Sequence, residues 1–368
     1  MTQPGAAPRV LHVAETLPGG VAAYLNELLP AQIARSGIGQ VALLAPQDQF
    51  DSLSRSALQG LVRFPYPRSG RNAGALWSLA RALRQRITTW KPQLLHAHSS
   101  FAGAICRLRR SPVPLVYSAH GWAFSREGSR LASSAYRWIE RGLQSRADAI
   151  VAISEHEREA AIGAGIDASR LRTIRHGLHE LTQPLPPRIR RSPEASLELL
   201  FIGRFDRQKG LDWLLATLAT LPQHRVRLTV VGAPVVDTPP ALTRVAGVRY
   251  LGWLRPDQIT RQLDSCDALV VPSRWEGFGL VALEAMRRAV AVLASNRGAL
   301  PEVVGDAGIV FDLDRPDDFA AMLLSLDHDR LLELGRRGQA RFSALFSGER
   351  MVEETLSLYR QVLAGVQK

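Results

Sequence analysis

The chain has 368 residues, too many for one ordinary core and enough for two α/β domains, and its 46% hydrophobic and 22% charged residues are typical of a folded globular protein. The formal net charge is +12, and the two cysteines, Cys106 and Cys266, sit in no zinc-ligand or redox spacing. No apolar run approaches the ~18 residues of a membrane span, and MTQPGAAPRV at the start lacks a basic flank leading into an apolar stretch; the sequence reads as a cytoplasmic protein, neither exported nor membrane-spanning.

Arg9 to Ala14 reads as a buried strand, followed by a loop ending in Gly19-Gly20 and a helical pattern through Tyr24, Leu28 and Ile33. Apolar runs follow at 41–46, 94–99, 114–120 and 149–154, separated by helix-length segments such as 74–90 and 130–146. This alternation predicts a parallel sheet covered by helices. Between Arg63 and Arg146 lie fifteen basic residues, among them Arg71, Arg107, Arg126, Arg130, Arg137 and Arg141, against only Glu127 and Glu140, a net +13. Such a field attracts nucleic acid, anionic lipid or a phosphorylated substrate, unless it is simply a solvated arginine surface. Trp77, Trp90, Phe101, Trp122, Phe124 and Trp138 are interleaved with it.

Residues 184–196 are rich in proline and arginine without apolar periodicity, and read as a linker between a domain over 1–183 and a second over 197–346. The second repeats the alternation at 197–203, 227–232, 249–253, 268–273 and 290–295, and the chain ends in a helical segment within 347–368. A ligand of such an architecture binds at the carboxyl edges of the strands, and a cleft between the domains is its expected place.

Glu276 and Glu284 are eight positions apart in WEGFGLVALEAM, with Gly277 and Gly279 at a loop-to-helix junction. A helix starting near Gly279 would offer free N–H groups to a phosphate or hydroxyl, and two carboxylates suit a polyol. In FIGRFDRQKG a strand ends at Gly203 and delivers Arg204 and Lys209, two cations able to neutralise a diphosphate in place of a metal. Lys209 is one of three lysines in an arginine-dominated chain, the others being Lys91 and Lys368. Gly19-Gly20 can present N–H groups to phosphates, although paired glycines more often only permit a turn. His120 lies where an apolar strand runs out, with His96, His98, Ser154 and His176 near the same edge. The acidic pairs Asp312/Asp314 and Asp327/Asp329 lie late in the chain and read as caps and surface rather than a metal site.

Together, GGV (19–21), SAHG (118–121), VAISE (151–155), GRFDRQKG (203–210), EGFGLVALE (276–284) and GALPEVV (298–304) resemble the family-4 retaining glycosyltransferases, glycosyl transferases group 1. The resemblance implies the GT-B fold, two Rossmann-like domains facing a central cleft, with the C-terminal helix crossing back to the first domain. It implies that Arg204 and Lys209 grip a donor diphosphate and that Glu284 holds the ribose. Glu276 would contact the transferred sugar, assisted by Gly203 and by the backbone of Gly277, Phe278, Gly279, Leu280 and Val281. Gly19-Gly20 would close over the phosphates, and His120 would sit near the reacting carbon. A UDP- or GDP-sugar donor, no metal or other cofactor, no nucleic acid, and a glycan or lipid-linked acceptor at the inner membrane face complete the expectation, placing the enzyme in polysaccharide biosynthesis. Where relatives often have Asn-Gly, this chain has Arg175-His176-Gly177. A nucleotide-sugar epimerase of similar two-lobe fold is the alternative enzyme, and a non-catalytic nucleic-acid-binding protein the alternative outside enzymes.

Overall fold

The computed structural model describes residues 7–68, 70, 72–125, 129–187, 192, 195–222, 224–234 and 242–366; Arg71, Arg126 and Glu127 of the basic stretch and positions 188–191, 193 and 194 of the linker lie outside the described residues. The chain divides into two compact units, Met1–His179 with Gly348–Lys368, and Glu180–Ser347. Among the described residues no helix is long and apolar enough to cross a membrane.

The first unit is a seven-stranded parallel sheet in the order β3-β2-β1-β4-β5-β6-β7. Its strands are β1 (Val10–Ala14), β2 (Val41–Pro46), β3 (Val62–Tyr66), β4 (Leu94–His98), β5 (Leu115–Ser118), β6 (Ala149–Ala152) and β7 (Leu171–Thr173). The helices between them are α1 (Gly20–Ser36), α2 (Arg55–Leu58), α3 (Ala73–Thr89), α4 (Ser100–Arg107), α5 (Arg130–Leu143) and α6 (Glu155–Gly163). Alternate side chains along each strand face opposite ways, so Val10 and Ala14 join the core under α1 while Leu11 and Val13 join the one on the other face.

The second unit is a six-stranded parallel sheet in the order β10-β9-β8-β11-β12-β13. It comprises β8 (Leu197–Ile202), β9 (Val226–Val231), β10 (Val248–Tyr250), β11 (Ala268–Val271), β12 (Ala291–Ser295) and β13 (Ile309–Phe311). Its helices are α7 (Leu211–Leu218), α8 (Pro256–Ser265), α9 (Leu280–Arg287), α10 (Leu300–Val304), α11 (Pro316–Ser325) and α12 (His328–Leu345). The last helix, α13 (Gly348–Val366), belongs to the first unit: Met351, Val352, Leu358 and Tyr359 enter the core under α1, and Gly348 N–H donates to the Leu178 carbonyl.

The strands without a sequence signal are β3, β7 and β13, all at sheet edges. An edge strand buries less, so its apolar pattern is weak. Pro65 in β3 has no N–H to donate, which an edge tolerates.

Candidate active site

In the second unit the strand pair β8 and β11 are neighbours, so the loops leaving their carboxyl ends meet. The loop after β8 carries Gly203, Arg204 and Lys209, and the loop after β11 carries Glu276. Lys209 Nζ lies 2.5 Å from Glu276 Oε2, and Ser273 Oγ donates to the same oxygen at 3.4 Å. The two loops are stitched along their length. Arg274 N–H donates to the Gln208 carbonyl, and Gln208 Nε2 donates to the Trp275 carbonyl. The Arg274 guanidinium clamps Asp212 bidentately at 2.7–2.8 Å.

Glycines make this approach feasible. Gly210 has φ +70, and a Cβ there would lie 2.0 Å from the Pro272 carbonyl oxygen. Gly298, the first residue of the GALPEVV segment, has φ +61, and a Cβ there would lie 2.1 Å from the Glu276 carbonyl oxygen. That same oxygen accepts from Ala299 N–H at 3.1 Å. The loop after β12 therefore seats the backbone of Glu276. Gly279, in the left-handed region, is the N-cap of α9 and has no capping side chain. Leu280 and Val281 form the first turn, and Glu284 follows, half-buried, inside the helix. Phe278 is buried against Phe346. Arg204 is turned toward Asp206, with Nε at 3.1 Å, and toward Gln208 at 2.8 Å. Asp206, Gln208, Ser273 and Gly298 were not singled out from the sequence, although Gln208 and Asp206 stand inside the GRFDRQKG segment.

Asp312 and Asp314 form a surface turn held by Asn296 and Arg297, and Asp327 caps α12 by accepting from Arg330 N–H.

In the first unit, Gly19 with φ +96 is the N-cap of α1, again without a capping side chain, and Gly19 and Gly20 are exposed with open space around them. His120 has φ +51, an uncommon conformation for a residue with a side chain, of the kind that clusters at functional sites. Its ring stacks on His176 at 5.5 Å and meets the Tyr24 ring at 4.9 Å.

Behind His120 runs a line of imidazoles. The sheet register aligns His12 with His96 and His98 with Ser118. His120 Nε2 is 2.9 Å from His98 Nδ1, His98 Nε2 is 2.9 Å from His12 Nδ1, and His12 Nε2 is 2.9 Å from Gln32 Oε1 on α1. His96 packs against the His98 ring at 4.1 Å but is hydrogen-bonded outside the line, to Ser118 Oγ at 2.8 Å and to Tyr359 of α13 at 2.5 Å. Burial disfavours the charged form, holding His12 down at about 4 and His120 at about 3, and His96, His98 and His176 well below the usual range. All five are therefore neutral at pH 7. Ser154 caps α6, accepting from Glu157 N–H.

Two aspects of the expected basic, aromatic surface change. Trp122 and Phe124 are core residues, 2% and 5% exposed, because Trp122 Nε1 donates to the Glu157 carbonyl and the two rings stack on each other. Arg107 is fully buried, paired with Glu140 at 2.8 Å and stacked on Tyr117. Trp77 and Trp138 remain exposed, with Arg81 and Arg141 over their rings.

Residues 18–180 match the model described as Glycosyltransferase Family 4, and residues 196–329 the one described as Glycosyl transferases group 1. D-inositol 3-phosphate glycosyltransferase of Rhodococcus opacus is 30% identical over 300 residues, 73% of this chain and 67% of that protein. The chain belongs to glycosyltransferase family 4. A second family relative, an uncharacterized 41.2 kDa protein in the cps region of Klebsiella pneumoniae, is 30% identical over 309 residues, 81% of this chain and 83% of that protein. The fold is that of GT-B glycosyltransferases: Anabaena HepE, solved in complex with UDP-glucose, superposes with a TM-score of 0.75 at 18% identity, covering 96% of this chain and 99% of that one. This family-4 member is a glycosyltransferase.

Proposed function

We propose that the protein transfers a sugar from a UDP- or GDP-sugar to an acceptor hydroxyl with retention at the anomeric carbon. The observation that carries this reading is the contact of Lys209 with Glu276 where the β8 and β11 loops meet, a cation for a diphosphate beside a carboxylate for sugar hydroxyls. HepE, a neighbour of the same fold, was solved with UDP-glucose, which supports the donor class. In this reading Lys209 and Arg204 hold the diphosphate without a metal ion, Glu284 holds the ribose, and Glu276 the sugar. The backbone amides of Gly277, Phe278 and Gly279 and of Leu280 and Val281 at the start of α9 take phosphate oxygens, and the open α1 terminus at Gly19-Gly20 offers the same chemistry in the first unit. His120 contacts the donor sugar. The bond from the anomeric carbon to the phosphate oxygen breaks while the acceptor oxygen bonds to that carbon on the same face. The departing phosphate oxygen takes the acceptor proton.

The acceptor is a lipid-linked glycan precursor at an anionic membrane surface. Supporting this, α5 exposes Leu131, Ala135 and Trp138 along one face, at helical spacing, with Ile139 beside them. Exposed Arg130, Arg137 and Arg141 flank that stripe, the composition of a helix lying in a headgroup layer.

The test is transfer from a panel of UDP- and GDP-sugars to a lipid-diphosphate sugar, with the product's anomeric configuration read by NMR. Expected are retention, indifference to EDTA, and a loss of about 10²–10³ in kcat for Lys209→Met. An inverted product, or donor altered without acceptor as in an epimerase, contradicts the reading. Sedimentation with phosphatidylglycerol vesicles but not phosphatidylcholine vesicles, weakened in Trp138→Ser, tests the membrane part.

A further inference from the structure

The line from Gln32 to His120 has a definite polarity. A neutral imidazole has one N–H and one lone pair, so hydrogen-bonded imidazoles in series must all adopt the same tautomer. The Gln32 amide oxygen faces His12 Nε2 and can only accept. His12 therefore donates from Nε2 and accepts at Nδ1, His98 does the same toward His12, and His120 donates from Nε2 to His98 Nδ1. The line ends at His120 Nδ1, which is buried and has no hydrogen-bond partner. Because burial holds His12 and His120 neutral, the end of the line is a lone pair and not an N–H.

His12, His96 and His98 place one ring nitrogen each within 4.8 Å of the others, a spacing compatible with a metal ion. Each of these rings is already hydrogen-bonded on both nitrogens, His96 through Tyr359 and Ser118. The His12–His98 distance is that of an N–H···N bond, and both His96 nitrogens are engaged by hydroxyl groups.

We infer that Gln32, His12 and His98 are positioning residues that lock His120 in the Nε2–H tautomer, so that its Nδ1 accepts a hydrogen bond from a hydroxyl of the bound sugar. The consequence is selectivity: a lone pair takes an O–H donor and repels a phosphate oxygen, so His120 reads a sugar hydroxyl and turns away a phosphate. This rests on the donor reading above for its ligand, while the tautomer stands on the geometry of the first unit alone.

The experiment is proton–nitrogen correlation NMR on protein carrying nitrogen-15 histidine, with His120 assigned from His120→Asn. In the free wild type at pH 7, His12, His98 and His120 are expected as Nε2–H tautomers. Gln32→Met keeps the volume and removes the acceptor; His120 should then populate the Nδ1–H form, with kcat falling about 10- to 100-fold and KM nearly unchanged. Gln32→Glu retains an acceptor and should keep the wild-type tautomer and most of the rate. An Nδ1–H tautomer at His120 in the wild type overturns the inference, as does a Gln32→Met spectrum with the tautomer unchanged. If the wild type binds no nucleotide sugar, the proposed function fails and takes the hydroxyl contact with it, while the spectrum of the free protein still decides the lock.

Discussion

The buried imidazoles of His12, His96, His98 and His176, with the half-buried His120, should make the first unit acid-labile. The unfolded chain protonates its histidines near pH 6.5, whereas folded His12 and His120 resist protonation down to about 4 and about 3. Above pH 6.5 neither state binds the proton and nothing is lost. As the pH falls toward 4, the unfolded state gains protons that the folded state cannot take, so stability falls. At pH 5 each such imidazole destabilises the fold by roughly 2 kcal/mol, so His12 and His120 together contribute about 4 kcal/mol. His96, His98 and His176 are shifted in the same direction by the same burial. Set against a typical total of about 5–15 kcal/mol, this removes a large share of the unit's stability. Urea denaturation between pH 8 and pH 5, followed by circular dichroism, reads the proton uptake from the slope of stability against pH. Uptake should reach at least about two protons at pH 5, from His12 and His120, and His176→Phe should lower the total. Stability that stays flat between pH 7 and pH 5 would refute the reasoning.

Other consequences follow from contacts around the site. Gly298→Ala forces a Cβ toward the Glu276 carbonyl from a left-handed backbone, and should cost about 1–3 kcal/mol in the second unit while weakening donor binding, measured by denaturation and calorimetry. Arg107→Met strands the buried Glu140 carboxylate, which also accepts from Tyr117, and should destabilise the first unit by about 3–5 kcal/mol; adding Glu140→Gln should recover part of that loss. Gly103→Ala puts a Cβ 2.2 Å from the Tyr117 ring and should lower the melting temperature without changing the residues that hold the donor.

Central strands and the loops after them were legible because parallel strands buried on both faces read as apolar runs. The β8 and β11 runs announced where Lys209 and Glu276 would emerge, and their spacing in the sheet brings them together. The partners were harder to see. His12 is hidden in VLHVA, where a polar residue inside an apolar strand gives no periodic signal, and Gln32 looks like any polar position of an amphipathic helix. Their meaning comes from strand register, which places His12 beside His96 and brings α1 over both. Trp122 and Phe124 looked like surface aromatics by their basic neighbours, yet a tryptophan whose N–H finds a carbonyl is readily buried. GALPEVV was recognisable as a motif, but only the approach of Gly298 to Glu276 explains why a glycine opens it.

The central claim is that Lys209 holds the donor diphosphate beside Glu276. Calorimetric titration of UDP- and GDP-sugars in EDTA, on the wild type and on Lys209→Met, tests it most directly. One nucleotide class should bind the wild type, with affinity reduced about 10- to 100-fold in the variant, the loss expected for a charged hydrogen bond to an anion. Equal affinity in both proteins, or binding that appears only when a divalent metal is restored, would contradict the account.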